Sequence, residues 1–419
     1  MNVCGEEHGG NDRCALARPL PQRGDGRTLR AMDTETETIQ TGNPHSIAAI
    51  RAAIAEAGGR ISFATYMRLA LTHPAYGYYA TGRGAPGRAG ADFLTAPETS
   101  PFFGRCLAVQ VAECWRLLGE PDAFAVWEPG AGTGTLARTL LDALAADHPN
   151  TYAACTYWPD DLAMPALDRA RETLHTHEAA DHVQWGAPPM AFTGIVLTNE
   201  FADALPMHRV RMTNGVLQEQ YVCWDEARER FVDAWDALSV PTLATSFAAE
   251  GVTLADGRII EVSPDAVVWL QAVGTRLGQG YVITIDYGDE ASALYRPGRF
   301  PEGSLMCYRA HTANREPFAH VGEQDITAHV DFTALMQAGT TAGLVALGLT
   351  TQAAFLASLG LGEMLVTAMQ TATSAPEYVM QRNAVIRLIE PSAMGRFRVL
   401  LQGKAVPSTR LQGLVEQPI

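Results

Sequence analysis

The stretch Phe124-Ala-Val-Trp-Glu-Pro-Gly-Ala-Gly-Thr-Gly-Thr135 decides the predicted fold. Its first four residues have the apolar bias of a buried strand, and the glycines at positions 130, 132 and 134 predict a turn into the amphipathic helix that follows. Glycine lacks a Cβ, so it can adopt positive φ and let a ligand lie against the backbone, while the following helix offers unpaired N–H groups. The stretch therefore predicts a nucleotide-type cofactor site.

The glycine spacing alone is a weak signal, because it also occurs in turns that bind nothing. A dinucleotide-binding fold prefers Gly-x-Gly-x-x-Gly, in which the third glycine comes one position later. Here Glu128-x-Gly130-x-Gly132-x-Gly134 resembles the first motif of the S-adenosylmethionine (SAM) methyltransferases, in which the carboxylate lies near the amino-acid end of the cofactor. The resemblance implies that these four residues bind SAM.

The composition is that of an ordinary globular protein, with 47% hydrophobic and 18% charged residues in a chain of 419. The formal net charge of −15 disfavours nucleic acid as the main partner and suits a cationic acceptor such as an arginine-bearing protein. The 7 cysteines form no Cys-x-x-Cys pair, so neither a disulfide framework nor a zinc site is predicted. No apolar run reaches the length of about 18 residues that a membrane span needs, and we predict no span.

The chain divides by pattern into six segments. Residues 1–43 are polar and lack the pattern of a secretory or transit signal, so we expect a disordered tail and a cytoplasmic bacterial protein. The other predicted segments are an N-terminal helical lobe at 44–120, the cofactor-binding core at 121–288, a substrate-side insertion at 289–375, a return to the core sheet at 376–403 and a tail at 404–419.

Helix caps and a hairpin turn predict several element boundaries. Ser46, Ser62 and Ser100 each precede a run with apolar residues at helical spacing, and we predict them to be helix N-caps. Further along the chain, Asn214-Gly215 between extended flanks predicts a β-hairpin.

Beyond the glycine turn the chain alternates strands and helices. Strands are predicted near 152–157, at 194–200 and at 280–288. This alternation predicts an α/β fold with a Rossmann-like parallel sheet, whose ligands bind at the carboxyl ends of the strands. Asn199 and Glu200, at the end of one predicted strand, are therefore expected in the same crevice as the glycine turn.

Several further blocks follow the order of one family. They are Ile61-Ser-Phe-Ala-Thr-Tyr-Met67, His73-Pro-Ala-Tyr-Gly-Tyr-Tyr79, Asp92-Phe-Leu-Thr-Ala-Pro-Glu98, Asn199-Glu-Phe-Ala-Asp-Ala-Leu-Pro206, Ile285-Asp-Tyr-Gly288, Asp325-Ile-Thr-Ala-His-Val-Asp-Phe332 and Met394-Gly-Arg-Phe397. With these blocks the chain resembles the MidA family, SAM-dependent methyltransferases that include the mitochondrial complex I assembly arginine methyltransferase. The resemblance implies a SAM methyltransferase sheet with an N-terminal helical lobe and an insertion after the strand that ends at Asp286.

The resemblance also implies a cofactor and an acceptor. SAM is the expected cofactor, with Asn199 among its contacts. The expected acceptor is an exposed arginine of a protein, by resemblance a subunit of respiratory complex I during assembly. The oligomeric state stays open, with a homodimer as one option.

One position departs from the family pattern. The family's second strand usually ends in an acid that holds the ribose hydroxyls, and here Cys155-Thr-Tyr-Trp158 occupies that place, with Thr156 where the acid is expected. We therefore assign the ribose to Asp160, with Asp161 as the neighbouring alternative.

Glu200 and Asp203 are the candidate catalytic residues. Their i, i+3 spacing directly after a strand places both on one face of a helical turn. An arginine acceptor needs carboxylates, because a guanidinium binds in a bidentate fork and its pKa is too high for ordinary deprotonation. The alternative is that Glu200 caps the turn and Asp203 accepts backbone N–H bonds. Glu98 and Asp286 are secondary candidates, with a structural or substrate-orienting role.

No metal site is predicted from the histidines. His311, His320 and His329 are farther apart along the chain than typical ligand pairs, and no cysteine accompanies them.

Two rival functions remain open at this stage. A methyltransferase acting on a small-molecule nitrogen or oxygen would have a narrower, drier pocket without an anionic pair. A catalytically silent assembly factor would use the same cleft as a binding module only.

Overall fold

A computed structural model gives the structure over residues 40–82, 95–244 and 252–415. The strands are β1 (Ile61–Ser62), β2 (Phe124–Pro129), β3 (Cys155–Asp160), β4 (Phe192–Asn199), β5 (His208–Thr213), β6 (Val216–Asp225), β7 (Arg230–Asp236), β8 (Ile259–Val262), β9 (Leu277–Asp286), β10 (Gly288–Asp289), β11 (Met306–Arg309), β12 (Thr312–Asn314), β13 (Asp325–Thr327), β14 (Val330–Asp331), β15 (Val345–Thr351) and β16 (Arg398–Lys404).

The α-helices lie mainly between these strands. They are α1 (Pro44–Glu56), α2 (Phe63–Thr72), α3 (Ala96–Thr99), α4 (Pro101–Leu117), α5 (Thr135–Asp147), α6 (Pro149–Ala154), α7 (Met164–Glu178), α8 (Pro264–Arg276), α9 (Ala291–Leu294), α10 (Phe332–Thr341), α11 (Gln352–Ser358), α12 (Leu361–Thr371) and α13 (Ala375–Ile389).

The largest sheet has six strands in the order β15-β16-β9-β4-β2-β3. Strands β9, β4, β2 and β3 are parallel, whereas β16 pairs antiparallel with β9 and β15 pairs antiparallel with β16 at the edge of the sheet. The parallel part confirms the predicted Rossmann-like α/β sheet, and its carboxyl ends meet at one edge. Strand β15 comes from the range 289–375, which the sequence pattern assigned wholly to an insertion.

A second, antiparallel sheet has the order β1-β6-β5-β8, with β7 paired to the other side of β6. The predicted hairpin joins β5 and β6, and Asn214 and Gly215 both have positive φ, as the tight hairpin turn requires. Helices α1 and α2 pack on this sheet in one apolar cluster that includes Ile50, Phe63 and Val222.

The third long helix of the N-terminal lobe belongs to a different core. Leu107 and Val111 of α4 pack with Ile195 and Ile283 of the main sheet. Gly104 permits the close approach of α4 to α5, because a Cβ at this position would lie 2.1 Å from the hydroxyl of Thr139. The lobe therefore reaches the main sheet through α4 and contacts the second sheet through α1 and α2.

Two of the three predicted helix caps are confirmed. The side chains of Ser62 and Ser100 accept backbone N–H bonds at the starts of α2 and α4. The prediction of Ser46 was wrong, because α1 begins at Pro44 and Asn43 is its N-cap. A proline at the first helical position loses no hydrogen bond. Ser46 is instead buried, and its hydroxyl donates to a backbone carbonyl 30 residues away at 2.6 Å.

The segment predicted as a C-terminal tail is packed as far as the structure describes it. Leu411 is fully buried. The next backbone N–H donates to the carboxylate of Glu113 at 3.0 and 2.9 Å. Most of the predicted N-terminal tail, residues 1–39, lies outside the described residues.

Hydropathy along the helices bears on membrane crossing. Within residues 40–82, 95–244 and 252–415, no single helix is long and apolar enough to span a membrane, although α11 and α12 together meet the criterion with a 65° bend between them.

Candidate active site

A cavity of about 770 Å³ lies at the carboxyl edge of the main sheet. We call one part of it the glycine-loop end, lined by Glu128, Gly130, Gly132, Asp160 and Asp161. We call the other part the Glu200 end, lined by Tyr79, Glu200, Asp203, Tyr287 and Asp325. Residues at or just after the ends of the four parallel strands, together with residues of the N-terminal lobe, thus share one space.

The glycine loop has the left-handed backbone that its sequence predicts. The φ angles of Gly130, Gly132 and Gly134 are 74°, 55° and 75°. Gly130 and the following residue donate their N–H groups to the carbonyl of Asp160 at 2.7 and 3.1 Å, and Gly132 donates to the Oδ2 atom of Asp161 at 2.9 Å. These bonds fix the loop against the end of β3.

The three glycines of the loop differ in whether they line the cavity. A Cβ on Gly130 would lie 2.7 Å from the ring of Phe201, at the cavity wall. Gly134 caps α5 with a left-handed φ, and a Cβ there would lie 3.2 Å from Ala170 of α7. Gly130 and Gly132 line the cavity, whereas Gly134 lies at the packing of α5 against α7.

Glu128 is a buried carboxylate at the end of β2. It is 4% exposed, and its Oε2 atom accepts a hydrogen bond of 2.8 Å from the hydroxyl of Tyr157. Burial, with a smaller contribution from the charges of Asp161 and Glu98, raises the pKa of Glu128 to about 8. A cationic group placed beside it would favour the ionised form.

The expectation that the second strand lacks its terminal acid was wrong. Strand β3 runs over Cys155–Asp160, so it ends in Asp160, and Thr156 lies near its start. The sequence pattern placed this strand about three residues too early, because α6 occupies the apolar stretch just before it. The Oδ2 atom of Asp160 accepts a hydrogen bond of 3.3 Å from the indole N–H of Trp127, which orients the carboxylate at the cavity wall.

Glu200 has a left-handed backbone with φ of 50°, which is uncommon outside glycine. Its Oε1 atom accepts hydrogen bonds from the amide of Asn199 at 3.0 Å and from the N–H of Ala96 at 3.3 Å. Burial raises the pKa of Glu200 to about 7, and the nearby charges of Glu98 and Asp325 add to the shift. The carboxylate is thus held in a fixed position and titrates near neutral pH.

Asp203 lies on a 3-10 turn, Ala202–Ala204, rather than on an α-helix. Its Oδ2 atom accepts a hydrogen bond from the hydroxyl of Tyr287, and its Oδ1 atom has no hydrogen-bond partner within the part of the chain that the structure describes. The residue is 6% exposed, and burial together with the charge of Glu200 raises its pKa to about 7. A buried acceptor oxygen without a donor is the expected contact of a bound ligand.

Asp286 holds the turn that carries Asp203. Its Oδ2 atom accepts the N–H groups of Phe201, Ala202 and Asp203 at 3.2, 2.9 and 3.3 Å. Asp286 is fully buried and does not line the cavity. These contacts hold the turn in place, which agrees with the structural role, one of the two roles predicted for Asp286.

Glu98 lies between the two ends of the cavity. Its carboxylate accepts hydrogen bonds from the hydroxyls of Thr95 at 2.6 Å and Thr133 at 3.2 Å. Its charge raises the pKa of both Glu128 and Glu200. The secondary candidate Glu98 therefore adds negative charge to both ends.

Sequence reasoning did not bring together several residues that line the Glu200 end. Tyr287 directly follows Asp286, inside a block already matched to the family. Tyr79 donates its hydroxyl to Asp325 at 2.7 Å, across 246 positions of the chain. His329 lines the same end, and burial and the charges of two arginines lower its pKa to about 4, so the ring is neutral. The blocks that resemble the family contain Tyr79, Tyr287, Asp325 and His329. Nothing in their local sequence indicates, however, that these residues meet in the folded protein.

The positions of the His, Cys, Asp and Glu side chains determine whether the protein can hold a metal ion. Over residues 40–82, 95–244 and 252–415, no group of three His, Cys, Asp or Glu side chains is placed to hold a metal ion.

Comparison with known proteins identifies this arrangement. The family of S-adenosyl-L-methionine-dependent methyltransferases matches residues 106–350. The chain belongs to the MidA family of SAM-dependent methyltransferases. SAM is therefore the cofactor of this chain.

Relatives of this MidA-family chain extend the match to most of its length. The mitochondrial protein arginine methyltransferase NDUFAF7 of Homo sapiens is 27% identical, over 85% of this chain and 82% of its own. The Drosophila melanogaster homologue is also 27% identical, with 84% of both chains covered. A Burkholderia thailandensis protein crystallised with S-adenosyl-homocysteine is 34% identical and superposes with a TM-score of 0.79, over 90% of this chain and 98% of its own.

Proposed function

We propose that this protein transfers a methyl group from SAM to an arginine side chain of a protein acceptor. The observation that carries the proposal is the pair of carboxylates at the Glu200 end, the half-buried Glu200 and the buried Asp203. One oxygen of that pair, Oδ1 of Asp203, has no hydrogen-bond donor within the described residues. A guanidinium supplies parallel N–H donors that fit such a pair.

The glycine-loop end would hold the cofactor. We assign the cofactor's ammonium to Glu128 and its ribose hydroxyls to Asp160, with Gly130 and Gly132 leaving room for the ligand against the backbone. Asn199, whose Oδ1 atom has no partner among the described residues, faces the junction of the two ends. When bound, SAM supplies a methyl group already activated on a sulfonium.

The residues of the Glu200 end would align the acceptor and remove its proton. Methylation of a guanidinium nitrogen replaces one N–H by N–CH₃, so one proton leaves the acceptor. A carboxylate whose pKa lies near 7 can accept this proton at neutral pH, and both Glu200 and Asp203 meet that condition. Tyr287 positions Asp203, and Asn199 positions Glu200.

Two observations weigh against the rival functions. A small-molecule methyltransferase would favour a dry pocket without an anionic pair, whereas Glu200, Asp203 and Asp325 line this cavity. The silent assembly factor was favoured by a missing second-strand acid, and Asp160 ends that strand.

The identity of the acceptor is a finer step of the proposal. Relatives at about 27% identity carry the name of mitochondrial protein arginine methyltransferases. Together with the family resemblance, this supports an arginine of a respiratory complex I subunit during assembly as the acceptor, and a cytoplasmic site of action in a bacterium. A homodimer remains an option for the working form.

Quantitative mass spectrometry of arginine methylation tests the proposal. Cells with and without the gene should differ by the loss of a methyl-arginine site on a protein. Restoring the gene should bring the site back, and restoring it with Glu200→Gln should not. The arginine acceptor would be refuted if no protein site is lost while a small metabolite loses its methyl group.

A further inference from the structure

The mouth of the cavity carries charge of the opposite sign to its floor. Arg315 follows β12 and Arg396 lies on the 3-10 turn Met394–Arg396, and both line the cavity. Both residues are exposed. The floor beneath them is acidic, with Glu200, Asp203 and Asp325 buried or half-buried.

These two arginines differ from their neighbours in having no acidic partner among the residues that the structure describes. Arg299 pairs with Asp289 at 3.0 Å, and Arg309 pairs with Glu323 at 3.7 Å. Within residues 40–82, 95–244 and 252–415, neither Arg315 nor Arg396 forms an ion pair. The one hydrogen bond from the Arg315 guanidinium in this part of the chain is a long one of 3.5 Å, to a backbone carbonyl.

Arg396 lies close enough to the Glu200 end to act on its side chains electrostatically. Its charge lowers the pKa of His329 and opposes the rise in the pKa of Tyr308. An acceptor that binds at the Glu200 end therefore lies near the guanidinium of Arg396, which has no ion-pair partner among the residues that the structure describes. A lysine or arginine next to the target would be repelled there, whereas a carboxylate would be attracted.

We propose that Arg315 and Arg396 bind acidic side chains that flank the target arginine, so that the acceptor is an arginine in an acidic sequence context. The proposal rests on the proposed arginine transfer and specifies its substrate class. The floor binds the target guanidinium, and the mouth binds the carboxylates beside it. An acidic floor below a basic mouth selects a substrate segment that carries both a positive and a negative charge, although this protein as a whole is acidic.

The cofactor's own carboxylate is the competing ligand for these arginines. If they bound it, their removal would weaken the affinity for S-adenosyl-homocysteine. If they bind the acceptor, that affinity stays the same and only the choice of acceptor changes. The two assignments therefore separate in one pair of measurements.

Methylation of synthetic peptides by the full-length protein with tritiated SAM tests the inference. Each peptide carries one central arginine, flanked two residues away on both sides by Glu, Gln or Lys. We expect kcat/KM to fall in that order, by about tenfold from Glu to Lys, because two partly exposed charge pairs are involved. The difference should shrink as salt screens the charges.

The charge-reversed double variant Arg315→Glu with Arg396→Glu should prefer the Lys-flanked peptide. Its affinity for S-adenosyl-homocysteine should match that of the unmodified protein. Arg309→Glu is the matched control, because the half-exposed Arg309 is paired with Glu323 and does not line the cavity, and this variant should leave the order of the peptides unchanged.

Three outcomes would overturn the inference in distinguishable ways. Equal transfer to all three peptides would be consistent with an arginine acceptor but would contradict the binding of flanking acidic residues by Arg315 and Arg396. A loss of affinity for S-adenosyl-homocysteine in the double variant would assign the arginines to the cofactor. Transfer to none of the peptides would contradict the proposed function itself, and the inference would fall with it.

Discussion

The two ends of the cavity are built by different means. At the glycine-loop end, backbone N–H groups of Gly130 and Gly132 bond to Asp160 and Asp161, so the shape of the chain defines the site. At the Glu200 end, side chains from distant segments meet, as where Tyr287 donates to Asp203 across 84 positions. The backbone carries no group that changes its charge with pH, whereas the charge of a carboxylate does change with pH. Cofactor binding should therefore depend on the backbone conformation of the glycine loop as well as on the charge of Glu128, whereas methyl transfer should depend on the charges of Glu200 and Asp203.

The largest effect should follow from a change of shape at the glycine-loop end. Gly132→Val should weaken SAM binding by about 100-fold or more, because φ of 55° strains a branched residue and Gly132 lines the cavity. Calorimetric titration with SAM measures the loss, and circular dichroism checks that the protein is folded.

Gly119→Val is the matched control for this variant. Gly119 also has positive φ, at 85°, but nothing lies within 4 Å of a Cβ there. It should show the backbone strain alone and retain SAM binding. Equal losses in both variants would mean that strain, rather than the shape of the cofactor site, explains the result.

The next effect should follow from a change of charge at the Glu200 end. Glu200→Gln and Asp203→Asn should each lower kcat by about 100-fold, because each removes a carboxylate that aligns the guanidinium or accepts its proton. SAM affinity should stay within about threefold of the original value, since backbone contacts remain. Single-turnover transfer and SAM titration on the same preparations separate the two effects. If these variants lost SAM affinity together with kcat, the two ends of the cavity would not have separate roles.

A smaller effect is expected from the residue that positions Asp203. The hydrogen bond from Tyr287 lowers the pKa of Asp203 against the effect of burial. Tyr287→Phe should therefore raise that pKa and move the acidic limb of the pH–rate profile to higher pH, with a loss of about tenfold at pH 7. Activity should partly return as the pH rises. A uniform loss at every pH would indicate a structural role only.

The smallest expected effect is a gain in stability. The pKa of Asp203 is raised to about 7 in the folded protein, above its ordinary value, so ionisation of the carboxylate opposes folding once the pH exceeds that ordinary value. Asp203→Asn removes this penalty and should add about 1–2 kcal/mol to the unfolding free energy at pH 8. The gain should vanish as the pH approaches 4. Thermal melts at both pH values measure it, and a loss of stability at pH 8 would contradict the raised pKa.

The glycine-loop end could be predicted from the sequence because it is local. Strand, turn and helix lie within one stretch, and glycine is the residue that positive φ favours. The error at Asp160 was also local: a short helix before β3 shifted the strand, so an acid that the sequence contains was assigned to the wrong place.

The Glu200 end could be predicted only in part. Glu200 and Asp203 follow a strand and could be found by their spacing. Their supports could not, because the bond between Tyr79 and Asp325 joins segments with no shared pattern. The proposed roles of Arg315 and Arg396 also depend on the lack of a nearby acidic partner in the part of the chain that the structure describes, which no spacing in the sequence reveals.

The central claim is that SAM-dependent transfer reaches an arginine of a protein. Purified protein should be incubated with tritiated SAM and an extract of cells that lack the gene, and the protein fraction then hydrolysed to amino acids. The account predicts label in methyl-arginine, and none with the Glu200→Gln variant. Label confined to small molecules, or no transfer at all, would contradict it.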